Sequence, residues 1–423
     1  MQVFKFGGAS VSTTERIRAL IPIFHQFSDQ QLLVVISAMG KTTNALEKVA
    51  HAFFSGNKDQ ALELFQEIKQ QHLQTARALL NSGLAACEEQ LTHFFTEVEW
   101  LLHDHPVQSF DYYYDQIVCI GELLSTAIVS AYLNETGIQN QWLDVRDLLR
   151  TDDNFRDANI DWEYSAVKVK QVVGPVLQKT GIVLTQGFIG STDENESTTL
   201  GREGSDYSAA VFANLLDASS QTIWKDVAGV MNADPKLFPE AQLISTLNYT
   251  EVIEMAYYGA QVIHPKTIKP LQNKSIPLHV KCFLDTSLPG TTIHNEPVKG
   301  LPPIMVWKEK QVLLQFTSKD FSFVGEQPVA QLYQRFAQLS LRPNMTQNGA
   351  ISFTCVFDEN SEKIEELAHA AADQFDVSLE KGLSMLTIRH VIPELFEKLS
   401  AGKKLLLKQE TTETVQGLFR SEM

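Results

Sequence analysis

The stretch VFKFGGAS, residues 3–10, joins a short apolar run carrying one lysine to two consecutive glycines. Glycines let backbone N–H groups approach a ligand closely, and a helix following such a turn adds its positive end. Lys5 brings a full charge, so the combination suits a phosphate. In the P-loop the glycines precede the lysine, as GxxxxGK[ST], and here the order is reversed; a nucleotide site at this place belongs to another class. A helix is expected next, because Ser12-Thr13-Thr14-Glu15 reads as a capping box and Ile17, Leu20, Ile21 and Phe24 recur at helical spacing. A second apolar run, LLVVIS at 32–37, reads as a buried strand. Strand, helix and strand in this order open an α/β fold, a mainly parallel sheet sandwiched by helices.

The alternation continues. Residues 57–105 are helical in pattern with a break at Asn81-Ser82-Gly83, which predicts an αα-hairpin inserted in the sheet domain. Strands are expected at 182–190, 221–226 and 276–281, and helices at 207–215 and 250–258. The first domain therefore spans 1–295, and the proline-bearing EPVKGLPP at 296–303 reads as a linker. Beyond it, residues 304–423 follow a βαββαβ pattern and then begin a second copy that looks shortened by a helix and a strand, unless the copies share elements.

A chain of 423 residues with a net charge of −16 has ample length for two domains, and its charge argues against generic nucleic-acid or anionic-membrane binding. A small-molecule partner is expected. Cys87, Cys119, Cys282 and Cys355 have no metal-like spacing and sit among apolar neighbours, which predicts reduced core thiols. No run of 18 apolar residues and no charged-then-apolar leader is present, and a cytoplasmic protein is expected.

Three further loops follow expected strands, where open α/β sheets place ligands. SAMGKTTN (37–44) combines hydroxyl residues with Gly40 and Lys41. GFIGSTDENESTTLGREGSDYSAA (187–210) reads as a long polar loop ending at a helix start, with Arg202 able to clamp a carboxylate or phosphate and Asp206 able to orient a lysine. IWKDVAGVMNADPKLFPEA (223–241) leaves a strand at Lys225-Asp226 and could hold an adenine or ribose, although a turn-rich connection reads the same way.

Together these motifs resemble the aspartate kinases of the amino-acid kinase family. KFGGASV, SAMGKTTN, IGELLS with Glu122, GFIGST, TTLGREGSDYSAA, DVAGVMNADP and EMAYYGAQVIHPKTI match in order over residues 1–285. The resemblance implies transfer of a phosphoryl group from MgATP to the β-carboxylate of L-aspartate. A carboxylate is deprotonated near neutral pH, so such a nucleophile needs no general base. By the same resemblance Lys5 neutralises the transferring phosphate, Asp206 orients Lys5, and Gly7 and Gly8 give close backbone contact. Arg202 clamps a substrate carboxylate, Glu122 receives the aspartate ammonium, and Ser37, Thr43 and Ser205 complete that pocket. Lys225, Asp226, Met231 and Lys236 line the nucleotide, while Mg2+ is held by ATP oxygens and water with no protein ligand. Ala9, Lys225, Met231 and Gln261 depart from residues common in the family. His264 matches a family motif but reads as a structural turn residue.

The C-terminal module resembles the ACT domains with which aspartate kinases sense lysine or threonine, by architecture alone; it implies a homodimer or higher homo-oligomer and lysine or threonine as effector. No GxGxxG follows it, so a fused dehydrogenase is not expected. Two other readings stay open: a related kinase with another carboxylate acceptor such as N-acetylglutamate, and an inactive amino-acid sensor.

Overall fold

A computed structural model describes residues 1–260 and 262–420, and Gln261 lies outside the described residues. The chain forms two compact units. The first comprises residues 1–230, 243–253 and 261–298; the second comprises 231–242, 254–260 and 299–423.

Along the chain the first unit's elements are β1 (Gln2–Phe6), α1 (Thr14–Arg18), α2 (Ile21–Gln26), β2 (Leu32–Ile36), α3 (Thr42–Phe54), α4 (Lys58–Leu79), α5 (Leu84–His103), α6 (Phe110–Val118) and α7 (Ile120–Glu135). They continue with β3 (Gln141–Trp142), α8 (Trp162–Thr180), β4 (Ile182–Gln186), β5 (Ile189–Ser191), β6 (Ser197–Thr199), α9 (Gly204–Leu215) and β7 (Ser220–Lys225). The last are β8 (Thr246–Asn248), α10 (Tyr249–Tyr257), whose end falls in the second unit, α11 (Pro265–Asn273), β9 (Leu278–Cys282) and β10 (Thr291–His294). Eight strands form one sheet in the order β3-β4-β2-β1-β7-β9-β10-β8, parallel except between β9 and β10. All five residues of β2 and of β4 are buried whichever way they point, so both faces of the sheet are covered, as a parallel sheet requires. α9 packs on β1, β2 and β7 beside α8 and α11, while α7 packs on β2, β3 and β4 and carries α3, α4, α5 and α6.

Several expectations shift in detail. The single helix expected after the glycines is two short ones, and its cap is Thr13, whose Oγ1 accepts from Arg16 N–H at 3.3 Å, one residue beyond the Ser12 box. Part of the expected loop at 187–210 is the β5–β6 hairpin, and the strand expected at 182–190 divides into β4 and β5 around Gly187-Phe188. The helical insert is α4 and α5. All four cysteines are free and buried. The α6–α7 rod, Phe110–Glu135, is long and apolar enough to cross a membrane, yet its most apolar stretch is 83% buried within the protein and forms core.

The second unit contains β11 (Ile304–Ser318), α12 (Glu326–Gln338), β12 (Met345–Asn348), β13 (Ser352–Asp358), α13 (Ser361–Ala371), β14 (Phe375–Arg389), α14 (Pro393–Ser400), β15 (Lys404–Glu410) and β16 (Thr414–Arg420). One six-stranded antiparallel sheet runs β12-β13-β11-β14-β16-β15. The two repeats share elements: β11 and β14 are each 15 residues long and pair along almost their whole length. Their 311–318 and 375–380 portions belong to the first repeat with α12 and α13. The 304–308 and 383–389 portions serve the second with α14, β15 and β16.

Candidate active site

The carboxyl ends of β1, β2 and β4 and the start of α9 enclose a cleft of about 620 Å³. Eight expected residues line it: Lys5, Gly8, Ser37, Thr43, Glu122, Arg202, Ser205 and Asp206. Lys5 stands on the central strand, 8% exposed, and its Nζ lies 2.5 Å from Asp206 Oδ1 in the first turn of α9. A buried ion pair of this kind fixes the position of the ammonium.

Gly8 opens a 3-10 turn, Gly8–Val11, and a Cβ there would meet the Ala38 carbonyl at 2.6 Å. The turn after β1 therefore packs backbone to backbone on the loop after β2, with Gly40 N–H donating to Gly8 O at 3.0 Å. A Cβ on Gly7 would come within 3.4 Å of Lys5 Nζ, so its absence keeps the space over the ammonium open. At Gly187 a Cβ would meet Ser205 at 2.6 Å, which explains how α9 brings its first turn against the end of β4. Arg16 ties the glycine turn to the end of β7: Nη1 donates to Ala9 O at 2.8 Å and to Asp226 Oδ2 at 3.3 Å.

Glu122, in the first turn of α7, is 2% exposed. Its Oε1 accepts from Ala38 N–H at 3.3 Å, and its Oε2 is buried with no hydrogen-bond partner among the described residues. Burial pushes its carboxyl up to about 8, partly offset by that backbone hydrogen bond and the Lys5 charge. An acidic group left half-satisfied at the wall of a polar cleft suits an arriving cation. Arg202, on the same cleft, is exposed and brings the opposite charge.

Sequence reasoning missed the outer wall. Arg156 lines the cleft with φ 70°, its Nη1 donating to Asp111 Oδ1 at 2.9 Å and its guanidinium 4.5 Å from the Tyr114 ring. Tyr114 Oη donates to Glu47 Oε1 at 2.7 Å. Beneath them Asp115, fully buried, accepts from the Arg156 N–H at 2.9 Å, the Thr199 N–H at 2.8 Å and Thr199 Oγ1 at 2.7 Å. Burial raises its carboxyl to about 6 even against those donors. The partners are 41 and 84 residues away, so no local spacing signals them.

The expected nucleotide residues are not gathered with the cleft residues. Lys225 Nζ donates to Val262 O at 3.1 Å, and Asp226 pairs with Arg16. Met231 and Lys236 belong to the second unit, where Lys236 is exposed and its N–H donates to Asp234 Oδ1. His264 caps α11, its Nδ1 accepting from Lys266 N–H at 3.2 Å, in line with a structural turn.

The amino acid kinase family model matches residues 1–282. The chain belongs to the amino acid kinase family. Among relatives of this family, Aspartokinase 3, chloroplastic, of Arabidopsis thaliana is 31% identical over 400 residues, covering 92% of this chain and 70% of the relative. Bifunctional aspartokinase/homoserine dehydrogenase 1, chloroplastic, of Zea mays is 36% identical over 304 residues, 70% of this chain. The chain spans about a third (32%) of the length of the first curated relatives that it matches. Among solved structures, E. coli aspartokinase III in complex with aspartate and ADP superposes with a TM-score of 0.81 at 26% identity, covering 99% of this chain and 96% of that one.

Proposed function

We propose that this chain is an aspartate kinase that transfers the γ-phosphoryl group of MgATP to the β-carboxylate of L-aspartate, giving 4-phospho-L-aspartate. The observation that carries the reading is the buried, unpartnered Oε2 of Glu122 in the same cleft as the Lys5–Asp206 pair and Arg202. An acceptor with a free ammonium and two carboxylates matches all three. N-acetylglutamate has no ammonium for Glu122 and is the poorer match.

In this reading Arg202 holds the α-carboxylate, Glu122 ionises against the ammonium, and Ser37, Thr43 and Ser205 fix the acceptor's remaining polar groups. The β-carboxylate is already the nucleophile, so the chain's work is positioning and charge neutralisation. Lys5, held by Asp206, meets the charge of the transferring group, and the open space over Gly7 lets backbone N–H groups approach it. Lys225, Asp226, Met231 and Lys236 are the residues assigned to the nucleotide. Mg2+, carried on the phosphates with water, neutralises charge on the phosphoryl group when bound. Lysine or threonine is the proposed effector; in support, E. coli aspartokinase III, 26% identical to this chain, has also been solved in complex with lysine and aspartate. A homodimer or higher homo-oligomer is the proposed assembly.

Hydroxylamine trapping of the acyl phosphate tests the reading. L-aspartate with MgATP is expected to give the hydroxamate and N-acetylglutamate none, while Lys5→Ala abolishes product with the fold retained. Transfer to N-acetylglutamate alone would replace the acceptor, and no product from either would favour the amino-acid sensor. Added lysine or threonine in the same assay tests the effector.

A further inference from the structure

The second unit holds a cavity of about 480 Å³ that shares no residue with the cleft. Tyr257 and Tyr258 at the end of α10, Tyr333 on α12, Arg342 before β12, and Thr414 and Gln416 on β16 supply the walls that matter. Three aromatic rings converge there, and two of them are costly to leave in water: Tyr257 is 67% exposed and Tyr333 44%. Among the described residues, no hydrogen bond or ion pair engages the Arg342 guanidinium, and no carboxylate lines the cavity. In a protein with a net charge of −16 such a wall is unusual. A second guanidinium stands behind it: Arg389 Nη1 donates to Thr414 Oγ1 at 3.1 Å and pairs with Glu254 at 3.1 Å.

We propose that this cavity binds a small organic anion with a flat aromatic body and no positive charge, an arylalkanoate or aryl-2-oxo acid. The planar fork of Arg342 takes the carboxylate in two parallel hydrogen bonds, and the three tyrosines cover the ring. A zwitterionic amino acid would set its ammonium among neutral walls beside the Arg342 guanidinium, with no carboxylate lining the cavity to receive it and with Glu254 and Glu413 behind the wall engaged by Arg389. The site therefore selects against the class of effector that ACT-like modules are expected to sense.

Titration calorimetry on the full chain tests this without reference to phosphoryl transfer, with 3-phenylpropanoate, L-phenylalanine and 2-phenylethylamine as probes. One saturable site for 3-phenylpropanoate is expected, with phenylalanine at least about tenfold weaker and the amine weaker still. Arg342→Ala weakens 3-phenylpropanoate at least about tenfold, Arg342→Lys less, and Tyr333→Leu severalfold. Arg342 is exposed, so its two variants fold. Arg202→Ala leaves binding unchanged, which separates the cavity from the carboxylate-binding cleft. Absence of saturation up to about 10 mM, binding unaffected by Arg342→Ala, loss of binding in Arg202→Ala, or phenylalanine binding as tightly as 3-phenylpropanoate overturns the proposal.

Discussion

Glu122 carries a proton in the empty cleft at neutral pH, since its carboxyl titrates at about 8 against an ordinary 4.5. A bound ammonium favours the ionised form, so aspartate binding below pH 8 releases a proton. The KM for aspartate is then expected to rise about tenfold per unit as the pH falls from 8 to about 6, with KM for ATP nearly flat. Initial-rate kinetics across that range check it; a flat aspartate profile would remove Glu122 from the ammonium site. The folded state keeps a proton that the unfolded chain loses above 4.5, so Glu122 makes the empty protein less stable as the pH rises from 4.5 to about 8. Glu122→Gln should flatten both profiles, the first at the expense of weaker aspartate binding. Lys5, Arg202 and Asp206 stand out in the sequence as charged residues in short polar or glycine-bearing motifs and Glu122 only through the family resemblance, and the fold brings all four to one cleft. Arg156 was not legible there, since its place in the cleft depends on a left-handed backbone turn (φ 70°) pinned by a carboxylate far along the chain.

That carboxylate acts between elements. Asp115 on α6 ties β6 through Thr199 and the turn at Arg156, and both residues line the cleft. Asp115→Asn puts an NH2 group and a weaker neutral acceptor where two backbone N–H groups and a hydroxyl now donate. A loss of about 2–3 kcal/mol in unfolding free energy is expected, with KM for aspartate raised more than KM for ATP. Denaturant unfolding and steady-state kinetics measure the two effects, and an unchanged KM for aspartate would confine Asp115 to stability. At this scale most strands and helices were legible, because a buried parallel sheet writes itself as continuous apolar runs such as LLVVI at 32–36. The β5–β6 hairpin was not: its strands are three residues each, rich in serine and threonine, and buried by the helices above them rather than by their own apolarity. The sharing of β11 and β14 by two repeats was equally hidden, since one 15-residue strand reads as the end of one motif and the start of the next.

Across the whole molecule the chain passes between its two units five times, at residues 230/231, 242/243, 253/254, 260/261 and 298/299. The consequence is clearest at 231–242, which reads as part of a ligand loop and packs as part of the second unit. Ala233 and Phe238, both buried, join Met305, Leu386, Ile388, Phe396, Val415 and Phe419 in one apolar cluster, with Ala241 against it. Met305 N–H donates to Asn232 O at 2.7 Å, and Asn232 Nδ2 donates to Pro303 O at 2.8 Å, so backbone as well as side chains fix the segment. The first repeat covers its sheet with two helices, α12 and α13; the second has α14 and this borrowed segment. Phe238 accordingly does the work of a helix residue in the second repeat. Phe238→Ala should cost about 3 kcal/mol, the usual loss for a buried phenylalanine, and should expose the faces of Phe396 and Phe419. Trp307, stacked on Phe419 with ring centroids 6.3 Å apart, is the reporter: its fluorescence should show an earlier denaturant midpoint in the variant. A shift equivalent to less than about 1 kcal/mol would mean that α14 alone covers the second repeat, and the segment's place there would be incidental.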